Sequence, residues 1–115
     1  MTRTAAVSVA ALSLAGGAVA LAPSASAAVG KSGCSSITFN ASGFIQRAQL
    51  VNLRSGPGTS YSSYGLVSNG TRLTYICYKS PTSSGGRYWA YVKITSGAHA
   101  GTYGWVDRYY TYYSF

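Results

Sequence analysis

From Gln49 onward, apolar and polar residues alternate in short runs separated by clusters of Gly, Ser, Pro and Asn. A period of two sends successive side chains to opposite faces, so each run predicts a half-buried strand rather than a helix. Residues 49–54 place Val51 and Leu53 on one face and Asn52 and Arg54 on the other. Residues 55–60 (Ser-Gly-Pro-Gly-Thr-Ser) are turn formers throughout. Residues 65–67 are a short apolar piece, and Asn69-Gly70 predicts a hairpin because the pair tolerates positive φ at both central positions. Residues 71–79 form the clearest strand, with Leu73, Tyr75 and Cys77 opposite Arg72, Thr74, Ile76 and Tyr78. After a loop at 80–86, residues 88–94 alternate Ala90 and Val92 against Trp89, Tyr91 and Lys93. A second loop at 95–101 leads to a last strand at 103–106. Short strands at this spacing indicate an all-β barrel or sandwich, and a small barrel limits exposed sheet edges.

Residues 28–47 break that pattern. They are rich in Gly and Ser, with one strand-like piece at 37–39, and read as an N-terminal extension. Before them, Arg3 supplies a basic tip, an uncharged run covers residues 5–22, and Ala25-x-Ala27 supplies a small-residue exit. That order is a secretory signal over residues 1–27, helical in the precursor and cleaved after Ala27 or Ala28. The alternative is a retained anchor, since the run nearly reaches bilayer length. Ala, Gly and Ser dominate it, however, and no stop-transfer charges follow. The expected product is secreted, extracellular or wall-associated, without a stable membrane anchor after cleavage, and its folded domain covers residues 48–115.

A domain of this size buries only about 60% of its unfolded surface, so it has little stability to spare. Eleven tyrosines and two tryptophans compensate. Cys34 and Cys77 both follow the signal, and a pair bound for an oxidising space reads as a disulfide that holds the extension on the barrel. Free thiols, a nucleophile, or half of a metal site completed by His99 are the alternatives. Nine Lys and Arg are opposed by one acid, Asp107, expected to pair with a nearby Arg, which leaves a formal net charge of +8. Such a chain attracts polyanions, for an exported protein teichoic acid, peptidoglycan carboxylates or lipid headgroups. Nucleic acid would bind without specificity. Because the cations are scattered along the chain, solubility alone is the competing explanation.

Specific residues then match a known family. Val51-Asn-Leu53-Arg54-Ser-Gly56-Pro57-Gly58-Thr-Ser-Tyr61 resembles the opening of bacterial SH3 (SH3b) domains, with an Asn-x-Arg-x-Gly-Pro pattern leading into a Gly-Pro loop. Residues 65–71, the Trp89-Ala-Tyr-Val92 strand and Gly104-Trp105-Val106 follow in the family's order, and the resemblance spans about residues 48–113. It implies an SH3-like half-open barrel of five to six strands and a non-catalytic targeting role. Such domains usually accompany wall hydrolases, and the loops at 80–86 and 95–102 look enlarged against the family pattern.

The inventory disfavours catalysis. Glycan hydrolysis normally needs two carboxylates, and a Cys–His hydrolase needs a free thiol. His99 sits in a small-residue loop, poorly placed for a base. No cofactor and no metal is expected. Binding has better material: Arg54, Tyr61, Tyr64, Trp89 and Tyr91 are the candidate ligand residues, with aromatic faces for sugars or peptide stems and Arg54 for a carboxylate. Arg54 bracing the loop through backbone carbonyls is an equal alternative. Tyr75, Tyr88 and Trp105 are expected in the core, and the tyrosine-rich C-terminus is expected as a closing strand packed on the extension, with an exposed sticky patch as the alternative. The leading function is peptidoglycan or anionic wall-polymer binding; the second is a protein-interaction module or inhibitor of another exported protein. Mass spectrometry of the exported product should find an N-terminus at Ala28 or Val29 and no free thiol; an intact Met1 would remove the export reading.

Overall fold

The alternating runs form strands in a computed structural model, which describes residues 27–114. The signal expected over residues 1–27 lies outside the described residues except for Ala27. Seven strands make one antiparallel sheet: β1 (Ala41–Ile45), β2 (Leu50–Arg54), β3 (Ser63–Ser68), β4 (Arg72–Lys79), β5 (Trp89–Ile94), β6 (Tyr103–Asp107) and β7 (Thr111–Ser114). Two short 3-10 turns, Lys31–Gly33 and Arg108–Tyr110, are the only helical elements among the described residues. The strand order is β3-β2-β6-β5-β4-β1-β7. Inward residues from β1, β2, β3, β4, β5 and β6 share one cluster, including Ile45, Leu53, Val67, Tyr75, Val92 and Val106. The sheet must curl to bring them together, and its end strands β3 and β7 do not pair, so the barrel is half open. The expected all-β, SH3-like architecture is present, with one strand more than expected.

That extra strand, β1, comes from the stretch read as an extension. It inserts between β4 and β7, with Gly43 opposite both Leu73 and Tyr113. A Cβ on Gly43 would run into the backbone carbonyl of Tyr112, so this lane admits only a glycine. Residues 37–39, expected as strand, are not one: Ile37 is exposed, and Asn40 at φ 53 redirects the chain before β1 begins. Phe39 still donates its N–H to the Ile76 carbonyl at 2.6 Å and stacks on Tyr78. As expected, the C-terminal tyrosines close the sheet against this region, through β7 on β1.

The Asn69-Gly70 signal marks a turn but not a hairpin. Thr71 N–H reaches the Ser68 carbonyl at 3.1 Å, and only Gly70 takes positive φ, at 89°. A type I′ hairpin needs positive φ at both central residues. Here the chain leaves β3 and enters β4, which pairs with β1 and β5 instead.

In β4 a register shift between Tyr75 and Cys77 breaks the alternation, so Ile76 and Cys77 are both buried. Cys77 then faces outward beside Tyr91, which pairs with Trp105, which pairs with Arg54. Trp105 is fully buried, as expected, yet it lies outside the barrel cluster. Residues 29–34 cover it: Val29 N–H bonds the Ser55 carbonyl, and the indole Nε1–H donates to the Val29 carbonyl, each at 2.7 Å. Gly33 faces the indole, and Cys34 is bridged to Cys77 with 5.9 Å between Cα atoms. Tyr88, by contrast, is 42% exposed rather than core, because it precedes β5 and packs edge-on against Tyr78.

Replacing both cysteines by serine should lower unfolding free energy by about 4 kcal/mol, the chain-entropy value for a loop of this size. Urea denaturation followed by tryptophan fluorescence measures it, and the Trp105 signal should shift toward that of exposed indole before the sheet unfolds.

Candidate functional site

The outward face of the central strands is organised in rows set by the β5–β6 register: Trp89 with Asp107, Tyr91 with Trp105, and Lys93 with Tyr103. The covering segment occupies the middle row. Trp89, half-buried, is left at one end, where two adjoining depressions of about 300 and 270 Å³ share it and Thr59. Pro57, Lys79, Pro81 and Arg87 help line the first; Asn52, Arg54 and Asp107 help line the second. Together they make a groove on Trp89, with prolines of two loops and several cations in its lining. Flat aromatic faces with a few convergent polar groups suit sugar rings and extended peptides.

Arg54 has a bracing role in this groove. Its Nη1 donates to the carbonyls of Thr59 at 3.3 Å and Tyr61 at 3.0 Å, tying the Gly-Pro loop to β2. The Tyr61 ring lies over Gly56, where a Cβ would collide with it, so Tyr61 folds back onto its own loop. Trp89 and Arg54 therefore share the groove, and Tyr61 shapes its wall from behind. Tyr64 and Tyr91 sit elsewhere. Tyr91 stacks with Tyr103 and tilts against Trp105, with ring centroids 6.1 and 5.0 Å away. Its phenol is pushed above the ordinary value by burial first, then by the phenols of Tyr103 and Tyr64. These three tyrosines form a second aromatic group at the far side of the covered row.

Asp107 is fully engaged. It accepts from Arg87 Nη1 at 2.7 Å and caps the following 3-10 turn through the Tyr109 N–H. This is the one ion pair among the described residues, and it raises the already high pKa of Arg87. The predicted Asp–Arg pairing is present, with Arg87 as partner. Lys79, Arg87 and Asn52 were absent from the sequence-derived candidates. The available signal was position, since Lys79 and Arg87 bracket the 80–86 loop.

With this geometry in view, comparison with known proteins assigns the class. A family model for the bacterial SH3 domain matches residues 49–112, more than half of the chain, and the protein belongs to that family. Its members are binding modules, not typically catalysts. The chain is similar to uncharacterized protein YraI of Bacillus subtilis (strain 168), 37% identical over 67 residues, covering 54% of this chain and 56% of that one. It is also 33% identical to uncharacterized protein YraJ of the same organism over 67 residues, covering 54% and 57%. The chain thus spans little more than half the length of these curated relatives. No solved structure gives a significant match.

Removing the brace should loosen the loop and the groove together. Arg54→Ala is expected to lower stability by about 1 kcal/mol, the net worth of hydrogen bonds to solvent-accessible carbonyls, and to raise hydrogen exchange selectively at residues 55–62; unchanged exchange there would show that the loop holds itself.

Proposed function

We propose that this protein is an exported, non-catalytic module that binds the cell wall, taking peptidoglycan into the Trp89 groove. The observation that carries the reading is the sharing of Trp89 by two depressions walled by Arg54, Lys79 and Arg87. An indole floor suits the apolar face of a sugar or a peptide stem, and guanidinium or ammonium groups suit stem carboxylates. Membership of a family of binding modules supports the same reading, as does the charge of +8, which draws the chain toward anionic polymers of the wall. The salt dependence of a purely diffuse attraction distinguishes it from seating in a groove.

Co-sedimentation with purified wall sacculi tests this. Wild-type protein should be retained at about 0.15 M salt, where diffuse surface attraction is strongly screened. Trp89→Ala should weaken retention by about tenfold or more, as truncating a central aromatic anchor does, while Tyr103→Ala should leave it unchanged. Equal losses from the two variants, or no retention of the wild type, would remove the reading. Co-purification of one stoichiometric exported protein in place of walls would identify a protein-interaction module instead.

A further inference from the structure

Next to the Trp89 groove, and sharing Gly86, Arg87 and Asp107 with its lining, lies a further depression of about 490 Å³. Arg47, Arg87 and Arg108 line it together with Tyr88, Tyr109 and Tyr113. We propose that it is a second binding site, which takes a phosphate oxyanion such as the phosphodiester of a polyol-phosphate chain.

The case begins with charge. Three guanidinium groups line it, and Asp107, which also lines it, is the only acidic side chain in the sequence. Asp107 is already paired with Arg87, so the pocket keeps a local excess of positive charge. Arg47 and Arg87 both stand over the Tyr109 ring, 5.0 and 5.7 Å from its centroid. Asp107 offsets the Arg87 charge, so the uncompensated charge that an anion meets over this ring is that of Arg47.

Geometry narrows the ligand. Arg108 lies 4.8, 5.1 and 5.6 Å from the rings of Tyr78, Tyr88 and Tyr113, and its Nη2 donates to the Tyr113 hydroxyl at 2.5 Å. Burial opposes its charge, yet Tyr113 and the neighbouring phenols outweigh that and raise its pKa. The surrounding rings hold the guanidinium groups by cation–π attraction without consuming their N–H donors, apart from the one Arg108 gives to Tyr113. All three cations are Arg, the side chain whose rigid fork matches phosphate bidentately. A planar carboxylate fills one fork, whereas tetrahedral phosphate oxygens can meet forks converging from different directions. Arg47 also holds a left-handed backbone at φ 70, uncommon for a residue with a Cβ. Its side chain is exposed, where a ligand can reach it from solvent.

Titration of the isotopically labelled protein with glycerophosphoglycerol, inorganic phosphate and acetate at constant ionic strength decides it. The arginine side-chain N–H resonances of Arg47 and Arg108 should shift with the first two probes. Binding should be about tenfold tighter than for acetate, the margin expected of one added charge-assisted contact. Arg47→Gln should weaken it about tenfold while circular dichroism stays native, and Arg47→Lys should not restore it, because a point charge lacks the fork. Preference for the diester assigns a phosphate polymer, and preference for inorganic phosphate assigns a free or terminal phosphate; both support the site. Equal response to acetate and phosphate, or shifts spread over Arg72 and Lys93, would overturn it. Trp89→Ala should leave phosphate binding intact, so failure of the groove and failure of this site are separable.

Discussion

Trp105 is fully buried although it points away from the barrel interior, and the arrangement of the outer face follows from how it is covered. Burying a tryptophan removes on the order of 200 Å² from water, worth roughly 5 kcal/mol. Ordering the six residues 29–34 costs about 6–12 kcal/mol of backbone freedom. The hydrogen bonds of Val29 and the indole add about 1 kcal/mol each, so noncovalent contacts alone hold this segment only marginally. The Cys34–Cys77 bridge closes the difference by tying the far end of the segment to β4. It can do so because the β4 bulge turns Cys77 outward, into the row of Tyr91 and Trp105.

Covering the middle row divides what is left. Trp89 remains open at one end, flanked by the Gly-Pro loop and the 80–86 loop. Tyr64, Tyr91 and Tyr103 gather at the other. The disulfide thus shapes the outer face as well as stabilising the fold, since residues that alternation places on one strand face end in different environments. With a single acidic side chain in the sequence, every cation but Arg87 lacks a carboxylate partner among the described residues. Aromatic rings and backbone carbonyls take that role instead: Arg108 lies among tyrosines, Arg47 stands over Tyr109, and Arg54 is held by Thr59 and Tyr61.

Much of the fold could be read from the period of two. The inward positions Val51, Leu53, Leu73, Ala90 and Val92 are buried as the alternation requires. β1 was not readable, because its lane between two strands demands Gly43, and the small residues that open it, Ala41, Ser42 and Gly43, carry little hydrophobic signal. The bulge at Ile76 was equally hidden, since one extra residue leaves composition unchanged while reversing the face of everything after it. Of the candidate site, Trp89 and Arg54 share one groove. The pairing of Tyr91 with Trp105 across β5 and β6, and the arginine–tyrosine pocket assembled from residues 47, 87 and 108, depend on register between distant segments.

The linear chain by itself determined the class of fold, the outward or inward lean of most strand residues, the surplus of positive charge and the one possible disulfide. These are local or additive properties, carried by neighbouring residues or by simple counts. Tertiary structure alone decided which aromatics are open, which cation meets which ring, and that Trp105 is buried under the N-terminal segment rather than inside the barrel. Those outcomes rest on strand order and register, where one residue of slip moves a side chain to the opposite face.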